Sequence, residues 1–171
     1  LDLVNDVIPG VMDGNTQVVV LGTGDSWYEE AFRSYENQYK GSFCAYIAYD
    51  ENVAHNIYSG CDALLVPSRF EPCGLTQLIA MRYGAIPIVR ETGGLRDTVW
   101  PYNMFDNTGN GFTFDRYESG LLYDTINRAK TCYFENRASW DDMVIRDMNK
   151  DVSWETSARQ YKDMYVELTP R

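Results

Sequence analysis

The stretch from Ser68 to Thr76 carries the residue types best suited to chemistry. Its second half, Cys73-Gly74-Leu75-Thr76, lies where a helix is predicted to begin. The first turn of a helix leaves free N–H groups and a positive dipole end, which favour anions. Gly74 lets a ligand approach the backbone, and the Thr76 hydroxyl adds a donor. Glu71 offers a carboxylate that accepts hydrogen bonds from sugar hydroxyls. Alternatively, Glu71 and Thr76 are ordinary capping residues, and the local pattern leaves both readings open.

Two glycine-containing turns are further candidates, Gly22-Thr23-Gly24-Asp25 and Thr92-Gly93-Gly94. The first falls short of a dinucleotide-binding fingerprint because Trp27 stands where the third glycine belongs. It fits a tight strand-to-helix turn as well as it fits a phosphate loop. The second is either an anion-binding nest or a plain turn, and the plain turn is slightly favoured. No GxxxxGK[ST] run occurs, which excludes a P-loop nucleotidase.

Three single side chains complete the candidates. Tyr49 can stack on a nucleobase, although its position alone favours a half-buried strand residue. His55, the one histidine, fits a helix surface and leaves little for a metal site. Cys73 has no base beside it in sequence and is not predicted to be a nucleophile. The cysteines lack CxxC spacing and are predicted to be reduced thiols of a cytosolic protein: Cys44, Cys61, Cys73 and Cys132.

Alternating helical and strand patterns provide the scaffold for these candidates. Apolar runs predict strands over 18–21, 43–49, 63–66 and 86–89. Helical patterns predict helices over 3–11, 26–39, 51–61, 74–83, 92–99, 118–134, 139–149 and 153–168, with 100–116 irregular. This alternation predicts an α/β fold, a Rossmann-like doubly wound parallel sheet with helices on both faces. The candidates all follow strand ends, where such sheets bind ligands.

Some local features carry their own expectations. Pro87 stands early in its strand, where a strand start or a sheet edge tolerates it. Ser139 and Asp142 have the spacing of a capping box. Asp50 is positioned to cap the helix that follows it. The tyrosines and tryptophans of the carboxy-terminal tail are expected to pack in the core or between helices.

Length and composition limit the class of protein. The 171 residues, 44% of them hydrophobic, predict one domain, with an α/β core over about 1–116 and a helical tail over about 117–171. A formal charge of −10 argues against nucleic acid and anionic membranes as partners. One small phosphate compound remains compatible with this charge if local dipoles and a few arginines oppose it. No signal-like segment or run of 18 apolar residues occurs, so a cytoplasmic protein is expected.

The run from Pro67 to Gln77, Pro-Ser-Arg-Phe-Glu-Pro-Cys-Gly-Leu-Thr-Gln, closely resembles bacterial glycogen synthase and plant starch synthase. The resemblance covers nearly the whole chain. It implies the carboxy-terminal nucleotide-sugar-binding domain of a GT-B glycosyltransferase. Such an enzyme transfers glucose from ADP-glucose to the non-reducing end of an α-1,4-glucan with retention, without a metal or other cofactor. Supporting stretches are 20–25, Met81-Arg82-Tyr83-Gly84, 87–89, 92–99 and Val152-Ser153-Trp154.

The resemblance also implies residue roles. Glu71 is expected to act in catalysis at the donor glucose, which the backbone of Cys73 and Gly74 also faces. Leu75 and Thr76 are expected to hold the distal phosphate. Tyr49 is expected to stack on adenine, with Gly22 and Gly24 bordering the nucleotide. The implied location is the bacterial cytoplasm, or a plastid if the source is a plant.

The start of the sequence departs from the family. It lacks an initiator methionine and begins inside a helical pattern, which suggests a piece of a longer protein. The family's first strand, a Ser-Arg-Leu…Gln-Lys-Gly run and an amino-terminal domain that contacts the glucan are expected before Leu1. Without that strand, 18–21 and 63–66 lack their shared neighbour. We therefore expect an isolated chain that is unstable, is completed by another chain or adopts a compensating arrangement, and that binds nucleotide weakly.

Two other functions remain open at this point. One is a GT-B transferase that uses UDP-glucose or another acceptor. The other is a non-catalytic nucleotide-binding domain of similar fold.

Overall fold

Helices and strands alternate in the structure, a computed structural model that describes residues 1–169. This confirms the predicted α/β class. Within those residues the strands are β1 (Val18–Leu21), β2 (Phe43–Tyr46), β3 (Ala63–Val66), β4 (Ile86–Arg90) and β5 (Phe112–Phe114). The helices are α1 (Asp2–Val11), α2 (Ser26–Gln38), α3 (Glu51–Gly60), α4 (Thr76–Tyr83), α5 (Gly93–Thr98), α6 (Ser119–Glu135), α7 (Arg137–Met148) and α8 (Trp154–Leu168).

The strands form two parallel sheets rather than one continuous sheet. β1 pairs with β2, and the second sheet has the order β3-β4-β5. Between residues 1 and 169, β1 and β3 share no ladder, so each presents an edge without a strand partner. This break lies where the sequence predicts a missing shared neighbour.

Strand β5 corrects the prediction that 100–116 is irregular. Its three residues are all buried, but so short a strand carries no readable alternation. Because β5 pairs with β4, Pro87 lies in a central strand rather than at a sheet edge. The β4–β5 register begins at Ile88, so the proline, which has no N–H to donate, precedes that ladder.

Several predicted element ends also shift. Strand β2 ends at Tyr46, which leaves Tyr49 in a loop. Helix α4 begins at Thr76 rather than Gly74, because Gly74 has φ +71°, outside the helical region. Helix α7 begins at Arg137 after Asn136, so Ser139 lies inside the helix and the capping box with Asp142 is wrong. The Asp50 cap is confirmed, since its side chain accepts from the Val53 N–H at 3.0 Å.

The main core joins α1 and α6 to the second sheet, and α7 closes it with Trp140 and Met143. A second cluster packs α1 and α2 against β2 through Ile8, Phe32 and Phe43. Helix α8 has no buried residue, and its Trp154 is 90% exposed. The expectation that tail aromatics are packed therefore holds for Trp140 and is wrong for α8.

Candidate functional site

The loop after β3 and the turn after β4 are in direct backbone contact. A Cβ on Gly93 would lie 1.7 Å from the carbonyl oxygen of Glu71, and one on Gly94 would lie 1.6 Å from that of Cys73. The Gly94 N–H donates to the Glu71 carbonyl at 3.3 Å. The 92–94 segment is therefore a packing turn rather than the alternative anion nest, because its glycines lie against carbonyl oxygens.

The amino terminus of α4 is open. Its N-cap residue, Leu75, is 67% exposed and makes no side-chain capping hydrogen bond. Neither Glu71 nor Thr76 caps the helix, so the capping alternative from the sequence is wrong. The first-turn N–H groups and the positive end of the dipole therefore remain available for an anion, beside the exposed Thr76.

The Gln77 side chain stabilises the amino terminus of α4 through hydrogen bonds. It is fully buried, and its Nε2 donates to the Gly74 carbonyl at 2.7 Å and to the Thr98 hydroxyl at 2.9 Å. The Thr98 hydroxyl in turn donates to the Gly94 carbonyl at 2.6 Å. These three hydrogen bonds connect the segment that precedes α4 with helix α5. The sequence analysis gave Gln77 no role of its own, although it is the last residue of the specific 67–77 run.

Glu71 and Arg90 shape the loop after β3. The half-buried Glu71 accepts a hydrogen bond from the Ser68 hydroxyl at 3.1 Å. Arg90, at the carboxyl end of β4, donates to the carbonyls of Arg69 at 2.8 Å and Ser68 at 3.4 Å. Its guanidinium therefore fixes the loop, a role that sequence analysis missed. Cys73 is exposed next to the open helix start.

The turn after β1 and the loop after β2 form the second part of the site. Gly22, at φ +151°, donates its N–H to the Tyr46 carbonyl at 3.2 Å. The Gly24 N–H is bound to the Glu29 carboxylate at 2.9 Å, which fits a tight turn better than a phosphate loop. Tyr49 is 84% exposed, so the half-buried strand interpretation is wrong and the ring is free to stack. A hydrogen bond from its hydroxyl to Glu51 raises the pKa of Tyr49.

The first residues of α1 bring both parts to one end of the molecule. Leu1 lies 3.9 Å from where a Cβ on Gly24 would stand, and Asp2 pairs with Arg69 at 3.5 Å. The Tyr117 hydroxyl donates to the Asp2 carboxylate, and the centroid of the Tyr117 ring lies 4.5 Å from the Cζ atom of Arg69. The hydrogen bond from Tyr117 lowers the pKa of Asp2, which favours the charged pair. The structure thus gathers the predicted residues at the carboxyl ends of both sheets.

The remaining polar candidates lie elsewhere. His55 is on the surface of α3, with its Nδ1 2.9 Å from the Tyr83 hydroxyl. All four cysteines are unpaired, and burial raises the pKa of Cys61 and Cys132. Within residues 1–169 no three metal-ligating side chains converge. In the same range, no helix is both long and apolar enough to cross a bilayer.

The fold and site have counterparts among known proteins. Residues 1–144 match the family described as glycosyl transferases group 1, and the chain belongs to that family. Over 98% of its length it is 48% identical to a glycogen synthase of Lachnoclostridium phytofermentans, of which it spans 35%. It is 46% identical to soluble starch synthase 1 of Solanum tuberosum, spanning 26% of that protein. The chain is therefore about a third or less of the length of these relatives.

A solved structure supports the same relationship. The catalytic domain of starch synthase IV from Arabidopsis thaliana, bound to ADP and acarbose, superposes with a TM-score of 0.84 at 35% identity. The match covers 97% of this chain and 35% of that one. An Anabaena HepE structure with UDP-glucose matches with a TM-score of 0.69 at 17% identity, which shows the fold alone. The resemblance to glycogen and starch synthases and the GT-B fold are thus confirmed.

Proposed function

We propose that this chain is the nucleotide-sugar-binding part of an enzyme that transfers glucose from ADP-glucose to an α-1,4-glucan with retention. The observation that carries the proposal is the uncapped start of α4 beside Glu71. Two further findings support it: the chain is 44–48% identical to glycogen synthases, and its structure matches that of a starch synthase bound to ADP. No metal or organic cofactor is required in this scheme, and the bacterial relatives favour a bacterial cytoplasm.

The proposed residue roles are those that the resemblance to glycogen and starch synthases implies, and the uncapped start of α4 supports them. The N–H groups of Leu75 and Thr76, with the Thr76 hydroxyl, bind the distal phosphate of the donor at the positive end of α4. Glu71, with the backbone of Cys73 and Gly74, contacts the donor glucose. Tyr49 stacks on adenine, and the turn at Gly22 and Gly24 borders the nucleotide.

The charges within this chain are too weak to stabilise the leaving diphosphate, so we infer that the chain does not transfer glucose by itself. A helix terminus stabilises an anion by about 0.3–1 kcal/mol at an exposed site, whereas enzymes lower barriers by roughly 8–23 kcal/mol. Arg90, at the carboxyl end of β4, uses its Nη1 to hold the carbonyls of Ser68 and Arg69. The leaving diphosphate therefore needs further cations from the remainder of the length that the relatives have. We propose weak nucleotide binding and no transfer by the 171-residue chain itself.

A titration tests the donor site directly. ADP and ADP-glucose are titrated into the chain and into Thr76→Val, with heat or amide chemical shifts as the readout. We expect the variant to bind roughly 10–100-fold more weakly, because the lost hydrogen bond from a hydroxyl to a charged group contributes about 1.5–3 kcal/mol. Thr131→Val on α6 is the matched control, since Thr131 is also exposed and lies on another helix.

Each alternative has its own outcome. Tighter binding of UDP-glucose than of ADP-glucose would favour a transferase with another donor. Rapid elongation of glycogen by the chain would refute the proposal that it does not turn over alone. A full-length parent that binds ADP-glucose yet transfers no glucose would favour the non-catalytic nucleotide-binding domain.

A further inference from the structure

A second cleft lies at the opposite end of the sheet from Glu71. It has a volume of about 550 Å³ and is bounded by the 100–110 segment and the end of α7. Asn110 and Gly111 lead directly into β5, so this cleft stands at the amino-terminal end of that strand. The donor site follows the carboxyl ends of β3 and β4, so the two sites do not overlap.

A buried carboxyl group lines this cleft without a partner. Asp147 is 2% exposed, and neither of its carboxylate oxygens has a hydrogen-bond partner. The side-chain oxygen of Asn107 is likewise buried and unpartnered, and Asn107 has a positive φ of 55°. Unpaired polar atoms in a protein interior cost free energy, so these three oxygens at one cleft indicate a ligand that supplies hydroxyl donors.

The neighbouring cations are already engaged. Lys150 donates to the Thr98 carbonyl at 2.8 Å, and Arg146 donates to the carbonyls of Asn107, at 2.6 Å, and Gly109. Burial raises the pKa of Asp147 to about 7 even though the Lys150 and Arg146 charges oppose the shift. A carboxyl that titrates near neutrality both donates and accepts hydrogen bonds.

The charges at the cleft select a neutral ligand. Asp147 opposes an anion, and Arg146 with Lys150 opposes a metal cation. A neutral polyhydroxylated molecule meets neither penalty, and its hydroxyl groups can donate to the unpartnered oxygens of Asp147 and Asn107.

Trp100 adds a flat apolar surface at the rim. It is 56% exposed, and the Lys150 ammonium lies 4.7 Å from its ring centroid. A ring of this kind packs against the C–H face of a sugar while its neighbours bind the hydroxyls. Clefts of roughly 300–1,000 Å³ hold small-molecule ligands, so about 550 Å³ accommodates more than one sugar unit.

We propose that this cleft binds a segment of α-1,4-glucan, with Trp100 as the platform and Asp147 and Asn107 as hydrogen-bonding groups. The choice of an α-glucan rests on the proposed function. The cleft would hold the polymer on this chain at a place remote from the donor, so that one glucan molecule contacts the protein twice and gains effective concentration.

The test uses the 171-residue chain and maltoheptaose, with heat and amide chemical shifts as readouts. Trp100→Ala is expected to weaken binding by at least about tenfold, whereas Trp100→Phe stays within about threefold. Trp154→Ala is the matched control and leaves affinity unchanged, because Trp154 is exposed on α8 and is not among the residues that line the cleft.

Asp147→Val separates binding from folding. Replacing an unpartnered buried carboxyl by an apolar group should not lower the unfolding temperature, yet maltoheptaose binding should fall about tenfold or more. A variant that binds maltoheptaose as tightly as the parent chain does would overturn the assignment of Asp147, whatever its unfolding temperature.

Further arms identify the ligand class. Absence of saturable maltoheptaose binding, equal binding of cellohexaose, or displacement by inorganic phosphate would each overturn the α-glucan site. The two proposals fail separately: a 171-residue chain that binds maltoheptaose through Trp100 but binds no ADP refutes the donor site alone. Normal ADP binding without maltoheptaose binding refutes the cleft alone.

Discussion

At the scale of single residues, the two glycines of the 92–94 turn leave the least space for a side chain. A Cβ at position 94 has no room, because the Cys73 carbonyl oxygen would stand 1.6 Å away. We expect Gly94→Ala to destabilise the chain by about 2–4 kcal/mol, since the two loops must separate. Urea unfolding measures this change. Gly120→Ala is the control, because nothing lies within 4 Å of a Cβ there, and it should leave stability unchanged or raise it. Equal stability of the two variants would contradict the contact.

Asp147 makes a pH-dependent prediction. Its folded pKa, about 7, exceeds its usual 3.8, so the folded chain binds the extra proton between these values. The contribution of Asp147 to stability is thus full below about pH 4 and is lost as the pH rises to about 7. Asp147→Asn should be more stable than the parent chain at pH 8, by up to about 4 kcal/mol, and should lose this advantage toward pH 4. Unfolding in urea at several pH values gives the difference.

The exposed Asp163 on α8 provides the control for that series. Asp163→Asn should show no comparable gain in stability at pH 8. A gain of similar size at Asp163 would mean that the effect comes from the net charge of the chain rather than from the burial of Asp147.

Residues that act through local backbone chemistry were predictable, and those that act across the fold were not. A helix start that favours anions was predicted after Cys73 from neighbouring residues, although the local pattern left open whether Glu71 and Thr76 cap it. Gln77 and Arg90 work through partners 21 and 22 positions away, Thr98 and Ser68, so no local pattern reveals them. Asp147 reads as a surface residue near the end of a helix, because the segment that buries it lies about forty residues earlier in the chain.

At the scale of elements, the same distinction explains which ends were predicted. Helix α4 stops at Gly84, whose left-handed φ of 86° is a local property of glycine. Its first residue was predicted two positions early, because Gly74 has φ +71° and is held by the Gln77 side chain, which also bonds the distant Thr98 on α5. Strand β5 exists because β4 offers an edge to it, and three residues carry no periodicity of their own.

The hydrogen bonds that Gln77 makes at the start of α4 lead to a further prediction. Gln77→Ala removes the bonds to the Gly74 carbonyl and the Thr98 hydroxyl and leaves a buried acceptor unpaired. We expect a loss of about 1–3 kcal/mol in the free energy of unfolding, with weaker ADP binding because the helix start is no longer fixed. Calorimetry of unfolding and of ADP binding measures both. Gln38→Ala, at an exposed position on α2, should change neither, and an effect there equal to that at Gln77 would contradict the role.

At the scale of the whole molecule, the break between the two sheets is the dominant feature. Within residues 1–169, β1 and β3 each lack a strand partner on one side, and Val19 is 51% exposed. The N–H groups of Val18 and Gly22 donate to β2 and its flank, so by alternation the N–H of Val19 points to the open side. The N–H of Leu65 is placed likewise, because Ile86 donates to the Asp62 carbonyl.

Hydrogen exchange of backbone amides tests this break. The amides of Val19 and Leu65 should exchange at least about 100-fold faster than that of Val89 in the central strand β4, because unpaired groups need no opening of a ladder. The comparison is made by NMR at two protein concentrations. Protection of both amides that rises with concentration would mean that a second chain completes the sheet, and equal protection of all three at low concentration would contradict the open edges. Uniformly fast exchange, Val89 included, would instead indicate an unstable chain, one of the three alternatives that the sequence leaves open, since the ladder of β4 would then open as readily as the edges.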